Sequence, residues 1–240
     1  ISQVKTDGFP LDLRSIVTPV YGGQESTALS IYDTSPESPN GEYICFIKYP
    51  EIVEGGHFGP PVKADVMIMN RSTGKCRKIY QVNCANHNGA NAIWVNDSLV
   101  AFQVNDFKDF VVYNIESDKS VFGVVEGELG HKSFGNVLVY TVCNVRLTRL
   151  VKNRVPHDPD MEGIHSLDCI TGDKKLMVKK NDIVDTFRAQ NPDVKEKEAM
   201  ILHVEPNSAN DRIIFDYRHP RSGKKFESLH GFVNADGSGI

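Results

Sequence analysis

The sequence predicts an all-β protein with the architecture of a β-propeller built from four-stranded antiparallel blades. Four segments each begin with a polar turn and continue as a short apolar strand, and a second type of segment follows each of them with a strand, a polar turn and the start of another strand. Four short strands per unit, repeated at intervals of about 40 to 65 residues, are typical of propeller blades. We therefore expect about four blades in this chain.

The first type of segment has the form of the second strand of a hairpin. Asn, Asp and Gly precede the apolar residues and tolerate the positive φ angles that a tight connection needs. The four segments are SPNGEYICFIKY (38–49), NDSLVAFQV (96–104), FGNVLVYTV (134–142) and SANDRIIFDY (208–217).

The second type of segment supplies the third strand of each unit and the turn after it. The four segments are DVMIMNRSTGK (65–75), FVVYNIESDK (110–119), IHSLDCITGDK (164–174) and LHGFVNADGSG (229–239), with equivalent turn residues Asn70, Asn114, Asp168 and Asn234. KCRKIYQV, KSVFGVVE and KKLMVKK then form a fourth strand in the first three units. Apolar residues at helical spacing predict a short helix within 182–199. A β-sandwich or an open meander is the alternative fold, since either would also give many short strands.

We treat residues 1–240 as a single β-propeller domain. Its last unit stops at GSGI, where an outer strand should begin, so we expect the domain to be incomplete at its C-terminus. The chain starts at Ile1 without a charged and then apolar leader, which favours a processed N-terminus and a secreted or periplasmic location.

Composition limits the partners of the protein. The net charge of -4 gives no sign of a nucleic-acid-binding protein, so any basic site must be local. No apolar run approaches the roughly 20 residues that a membrane span needs. The five cysteines have no CxxC spacing, and we expect most of them to be buried as small apolar side chains.

Five segments, in order, resemble bacterial propellers related to polysaccharide lyases. They are ALSIYDTSPESPNGEYICFIKY (28–49), NHNGANAIWVNDSLVAFQVND (86–106), NVRLTRLVKNRVPHDPDMEGIHSLDCITGDKKLMV (144–178), HVEPNSANDRIIFDYRHPR (203–221) and FVNADGSGI (232–240). The characterised members of this group are the seven-bladed ulvan lyases and, more distantly, the oligogalacturonate lyases. The resemblance implies a seven-bladed ring, of which this chain would hold part, and β-elimination of uronate-containing acidic polysaccharides or oligosaccharides.

Such chemistry needs a cationic pocket rich in histidine. The carboxylate of the uronate must be neutralised before its C5 proton can be removed, and a base and an acid must then act on the C5 proton and the departing oxygen. The candidate catalytic residues are His87, His203, His219 and Arg146, and the candidate substrate-binding residues are Asn88, Tyr217, Arg218 and Arg221. His203 and His219 are also the candidate ligands of a divalent metal ion. Lower-ranked candidates are His131 and Arg149.

Strand pairing brings several of these candidates together. A turn at 208–211 puts His203 opposite about Asp216, with His219 a few residues beyond it. Tyr217 and His219 share one face of the strand with Ile213 and Phe215, and Arg218 shares the other face with Ile214 and Asp216.

Two departures from the lyase pattern keep a second function open. The second histidine of the ulvan lyases is missing after His87, and the stretch LVKNRV stands where an aromatic acid or base would be expected. The alternative is a non-catalytic propeller that binds glycans or proteins.

Overall fold

The chain forms four antiparallel sheets that follow one another along the sequence. The computed structural model describes residues 21, 23, 25–29, 34–50, 61–84, 89–105, 108–143, 158–192, 199–221 and 224–240, with the backbone alone at 219–221 and 224–227. Within each sheet, strands that are neighbours in sequence are paired. Each sheet is therefore a simple meander, as the two types of segment predict.

The strands of the first two sheets alternate with the polar turns predicted from the sequence. Sheet 1 consists of β1 (Thr27–Ala28), β2 (Tyr43–Lys48), β3 (Val62–Asn70) and β4 (Cys76–Cys84). Sheet 2 consists of β5 (Ile93–Trp94), β6 (Leu99–Val104), β7 (Asp109–Asn114) and β8 (Lys119–Glu126).

Sheets 3 and 4 repeat the pattern, with three strands described in sheet 4. Sheet 3 consists of β9 (Glu128–Phe134), β10 (Val137–Val142), β11 (Gly163–Asp168) and β12 (Lys174–Lys179). Sheet 4 consists of β13 (Met200–Pro206), β14 (Arg212–Arg221) and β15 (Lys224–Asn234). A short 3-10 helix lies at Pro159–Met161.

The turn after the third strand is built in the same way in sheets 1 to 3. A side-chain oxygen of Asn70, Asn114 or Asp168 accepts a hydrogen bond from the backbone N–H three residues later, at 3.0, 2.8 and 3.0 Å. Such side chains replace the backbone partners that a tight turn leaves unpaired. In sheet 4 Asp236 Oδ1 accepts from the N–H of Ser238 instead, at 2.8 Å.

Apolar faces of successive sheets pack on one another. One core lies between sheets 1 and 2 and includes Ile47 and Phe102, a second lies between sheets 2 and 3 and includes Ala101 and Leu138, and a third lies between sheets 3 and 4 and includes Phe215. Each inner sheet is covered on both faces, which is the packing of propeller blades and excludes a two-layer sandwich.

The predicted helix is present and begins earlier than expected. Helix α1 spans Lys180–Gln190 and buries Ile183 and Val184. Lys180, at its first turn, is buried and forms an ion pair with Glu162, with 2.6 Å between Nζ and Oε2. Phe187 stacks on Tyr217, with 4.9 Å between ring centroids. The helix thus fixes the strand that carries the candidate residues of sheet 4.

Most of the cysteines are buried, as predicted. Cys45, Cys84, Cys143 and Cys169 are buried, Cys76 is partly exposed and all five are free thiols. None of the helices in the described part of the chain is long and apolar enough to cross a membrane.

Candidate functional site

His203 lies in a bulge of the first strand of sheet 4. Leu202 pairs with Asp216 and Glu205 pairs with Ile214, so two residues of β13 face one residue of β14. His203 adopts a left-handed conformation with φ of 50°. A bulge redirects the side chain of its extra residue. The predicted pairing of His203 with Asp216 is therefore one residue off in register, yet the bulge brings the two side chains together.

Four side chains meet on β13, β14 and β15 and form what we call the Asp216 cluster. Asp216 Oδ2 lies 2.9 Å from Nδ1 of His203 and 2.9 Å from Nη2 of Arg218. Asp216 Oδ1 lies 2.7 Å from Nδ1 of His230. The side chain of Asp216 is only 15% exposed, whereas that of His230 is 75% exposed. One half-buried carboxylate therefore holds three cationic or potentially cationic groups.

The carboxylate sets the protonation pattern of both histidines. Burial raises the pKa of Asp216, but hydrogen bonds from His203, Arg218 and His230 outweigh that effect and lower the pKa below its usual value. An ionised carboxylate only accepts, so His203 and His230 each donate Nδ1–H to it. The neutral imidazoles then carry their lone pair on Nε2, where each can accept a proton.

Arg218 retains hydrogen-bonding capacity beyond its bond to Asp216. Its Nε atom is buried and has no hydrogen-bond partner among the described residues. Leaving a buried donor unpaired costs about 1 to 3 kcal/mol, and more for a charged group. The Arg218 side chain as a whole is 23% exposed, so a further acceptor such as a carboxylate can reach the part of it that is open to solvent.

His131 joins sheet 3 to the cluster. It lies on β9, and its ring centroid is 5.2 Å from that of His203 on β13. The two strands approach closely because Gly130 has no side chain, and an added Cβ there would overlap the carbonyl oxygen of Val204. Lys132 Nζ also bridges to Glu205 Oε2 at 3.1 Å. His131, a lower-ranked sequence candidate, thus lies beside His203.

The remaining predicted site residues fall in three groups. His87, Asn88 and Arg146 lie outside the described residues. His219 and Arg221 lie near the end of β14, but their side chains are not described. Tyr217 is fully buried in the core with Ile213 and Phe215, on the strand face predicted from the sequence, so its side chain has no surface open to a substrate in the described structure.

The described part of the site does not fit a metal ion. Among the described residues, no group of three or more His, Cys, Asp or Glu side chains is arranged to hold one. In the Asp216 cluster the carboxylate oxygens and both Nδ1 atoms already bind one another. The predicted metal pair of His203 and His219 depends on a side chain that lies outside the described atoms.

Two members of the cluster were absent from the sequence-based site. The sequence places Asp216 only as a neighbour of His203, and His230 is not among the sequence candidates. The pairing of β14 with β15 brings the two together, because the register that puts Arg221 opposite Lys224 also puts Asp216 opposite His230.

Sheet 2 carries a related arrangement with a different role. Gln103 and Asp216 are both the fifth residue of the second strand of their sheet. Gln103 donates to the carbonyl oxygen of Asp109 at 2.9 Å and accepts from the N–H of Leu129 in sheet 3. Asn91, in a left-handed conformation like His203, donates to the carbonyl oxygen of Leu129 at 3.0 Å. These residues tie sheet 2 to the first strand of the next sheet.

In sheet 4 the corresponding face is open within the described structure. Ile214 and Phe232 are 41% and 49% exposed, whereas the equivalent Ala101 and Val112 of sheet 2 are fully buried. The guanidinium of Arg212 lies 4.6 Å from the centre of the Phe232 ring. Among the described residues no further sheet packs on this face of sheet 4, whereas sheet 3 packs on the equivalent face of sheet 2.

Comparison with solved structures agrees with the fold. An oligogalacturonate lyase from Vibrio parahaemolyticus matches with a TM-score of 0.53 and 11% identity, and an oligogalacturonate lyase in complex with manganese matches with 0.52 and 12%. TolB from Acinetobacter baumannii matches with 0.44 and 10% identity. The fold is a β-propeller.

The matches cover most of this chain and only part of the other proteins. Each covers 92% of this chain, against 54% of either lyase and 44% of TolB, so the chain spans about half the length of the solved structures it matches. No family model and no curated protein sequence matches the chain. At these identities the likeness extends to the fold alone.

Proposed function

We propose that the Asp216 cluster binds a uronate residue of an acidic polysaccharide and promotes its cleavage by β-elimination. The observation that carries this proposal is the sharing of one carboxylate oxygen by His203 and Arg218, at 2.9 Å each. A base with a fixed tautomer and a guanidinium that can bind a carboxylate are thereby held next to each other. These are the two groups that removal of a proton next to a carboxylate requires.

The proposed reaction assigns one role to each side chain. Arg218 binds the uronate carboxylate and offsets the negative charge that develops when C5 loses its proton. His203 Nε2 accepts that proton, the C5–H electron pair forms the C4–C5 double bond, and the C4–O bond breaks. His230, in its protonated form, donates a proton to the departing oxygen. Asp216 positions His203 and His230 without contacting the substrate.

The choice of a uronate substrate is supported by two independent considerations. The five ordered sequence segments resemble the propeller lyases, and two of the solved structures with this fold are oligogalacturonate lyases. The cluster itself supplies a cation and two imidazoles in a protein whose net charge is -4. The guanidinium of Arg218 suits the carboxylate of an acidic glycan, and a secreted or periplasmic location would expose the site to one.

A divalent metal ion has no step in this proposal. One neighbour is an oligogalacturonate lyase in complex with manganese, and the sequence pairs His203 with His219 as candidate ligands. Titration of the purified protein with Mn²⁺, followed by calorimetry, tests that pair directly. Binding that is lost in both His203→Ala and His219→Ala would assign the metal to it, whereas equal heats in the variants and the wild type would exclude it.

The activity test uses the appearance of an unsaturated uronate, followed by its ultraviolet absorbance, on a panel of acidic polysaccharides. We expect product with wild-type protein and none with His203→Ala or Arg218→Ala. The matched control is Arg77→Ala, which removes an arginine that is likewise paired with an aspartate, Asp118, but lies in sheet 1. Absence of product on every uronate polymer would rule out the lyase proposal.

A second candidate function is non-catalytic binding of a protein or glycan. The observation that favours it is the departure from the lyase pattern, since the second histidine after His87 is missing and LVKNRV stands where an aromatic acid or base would be expected. Calorimetry with oligouronides separates the two functions. Binding without product supports the second candidate, and binding that is unchanged in a His203→Ala, Arg218→Ala double variant would remove the Asp216 cluster from either.

A further inference from the structure

A cavity of about 620 Å³ lies beside the Asp216 cluster, and we call it the Trp94 pocket. Three successive sheets contribute to its wall. The lining includes Glu37 and Asn40 between β1 and β2, Trp94 of β5, and His131, Lys132 and Ser133 of β9. This volume lies within the range of about 300 to 1,000 Å³ that is typical of small-molecule sites.

His131 forms the wall between the pocket and the cluster. It lines the pocket, is 8% exposed, and its ring centroid lies 5.2 Å from that of His203. Lys132 lines the pocket next to it and bridges to Glu205 on the strand that carries His203. The pocket and the Asp216 cluster are therefore neighbours on the two sides of His131.

The charges in the lining are balanced in pairs. Glu37 forms an ion pair with Arg71, and Lys132 forms one with Glu205. The rest of the polar lining consists of hydroxyl and amide groups, including those of Ser35, Ser133 and Asn40. Such a surface offers donors and acceptors without a net charge, in contrast to the cationic Arg218.

Trp94 gives the pocket an aromatic component. Its indole N–H donates to the carbonyl oxygen of Pro36 at 2.9 Å, which fixes the ring against the segment that carries Ser35 and Glu37. Trp94 is only 8% exposed, because it also packs in the core between sheets 1 and 2, so it offers the pocket a small apolar surface among hydroxyl, amide and charged groups. A sugar, which combines C–H patches with hydroxyls, fits such a mixed surface.

We propose that the Trp94 pocket binds the hydroxyl groups of sugar residues adjacent to the uronate held by the Asp216 cluster. This inference rests on the proposed function, since it assigns the neighbouring part of the same glycan chain. The cluster recognises the carboxylate, and the pocket recognises the uncharged ring and so selects substrates of more than one residue.

The test exploits the fact that Trp94 is the only tryptophan of the chain. Its fluorescence therefore reports on this pocket alone. We expect oligouronides of increasing length to change the fluorescence and to bind more tightly than a monouronate. Ser35→Phe fills the pocket from an exposed position, and we expect it to weaken binding of the longer ligands about tenfold, equivalent to about 1.4 kcal/mol. Affinity for the monouronate should stay the same.

Two further variants test whether the gain in affinity with ligand length depends on the pocket. Lys132→Ala removes a charged lining residue, and Lys119→Ala removes an exposed lysine of sheet 2 outside the pocket as its control. Circular dichroism of each variant checks that the fold is retained. We expect Lys132→Ala to reduce the gain in affinity with ligand length and Lys119→Ala to leave it unchanged.

The possible outcomes distinguish failure of the pocket proposal from failure of the proposed function. If monouronate binding needs Arg218 but oligouronides leave Trp94 fluorescence unchanged and bind no tighter, the pocket proposal is overturned and the function stands. If no uronate gives product, the function fails. In that case a fluorescence change with neutral oligosaccharides that Ser35→Phe abolishes supports the pocket, and no change with any of them overturns it.

Discussion

The imidazole of His203 and the carboxylate of Asp216 lie 2.9 Å apart although the two residues are not cross-strand partners. The bulge in β13 makes this contact, because it places His203 one residue beyond Leu202, the partner of Asp216, and turns its side chain back across the strand. The same carboxylate oxygen accepts from Arg218. The geometry of the candidate site therefore depends on one irregularity in an otherwise regular sheet.

Replacing Asp216 with Asn tests whether the carboxylate positions the two histidines. The amide cannot accept from both Nδ1–H groups, so the tautomer of His203 is no longer fixed. We expect the rate of product formation to fall at least about tenfold, while the affinity for oligouronide changes less, because Arg218 remains. Steady-state kinetics across pH give the comparison. Asp118→Asn, an exposed aspartate paired with Arg77, should behave like wild type.

An unaltered pH profile in Asp216→Asn would contradict the positioning role. A purely structural aspartate would lower the amount of folded protein without moving the pH dependence of the remaining activity. Thermal unfolding of the same variant measures that structural part, and loss of a hydrogen bond to a charged group predicts a cost of about 1.5 to 3 kcal/mol.

The predictability of the fold has a simple physical origin. Turn residues such as Asn70, Asn114 and Asp168 act locally, through bonds to backbone groups three residues away, so their effect is visible in the sequence. The alternation of Ile213, Phe215 and Tyr217 with Ile214 and Asp216 is equally local. These signals predicted the order of the strands and the buried face of β14.

The candidate site was less predictable because it depends on contacts between strands. The bulge at His203 shifts the register by one residue, and no residue type in HVEPNS marks it. Its equivalent in sheet 2 is an Asn, which adopts the left-handed conformation readily, whereas a histidine in that conformation is uncommon. The approach of His131 depends on Gly130 facing Val204, a contact between residues far apart in the chain.

Buried His165 should make the protein sensitive to mild acid. Burial lowers its pKa, and the hydrogen bond from its Nε2–H to the carbonyl oxygen of Met161, at 2.7 Å, only partly opposes this. The unfolded chain then binds a proton more readily than the folded one. The contribution of His165 to the free energy of unfolding is therefore fully present above the usual histidine pKa of about 6.5 and is lost as pH falls below it.

The measurement for His165 is urea unfolding at a series of pH values. In His165→Gln the side chain can still donate to Met161 but does not titrate, so the decline in unfolding free energy just below pH of about 6.5 should become smaller. A decline of equal size in His165→Gln and wild type would show that another group is responsible.

Replacing only one residue of the buried ion pair between Glu162 and Lys180 should lower the free energy of unfolding. Both side chains are 7% exposed, and the pair anchors the start of helix α1. Lys180→Met leaves an unpaired buried carboxylate, for which we expect a loss of about 3 to 5 kcal/mol in unfolding free energy. The double variant Glu162→Leu, Lys180→Met should recover most of that loss. Urea unfolding of the three proteins checks this, and additive losses would contradict the pairing.

Gln103 and Asp216 occupy equivalent strand positions, and replacing each with Leu distinguishes hydrogen bonds that join two sheets from a side-chain cluster within one sheet. Gln103 bonds to backbone groups of sheets 2 and 3, so Gln103→Leu should leave buried backbone groups unpaired at about 1 to 3 kcal/mol each. Asp216 has only side-chain partners in the hydrogen bonds described, and these can turn to water. Asp216→Leu should therefore destabilise the protein less than Gln103→Leu while reducing oligouronide binding more.

Urea unfolding measures the stability of the two variants, and calorimetry measures their oligouronide binding. A larger loss of stability in Asp216→Leu would mean that the cluster serves mainly to hold sheet 4 together.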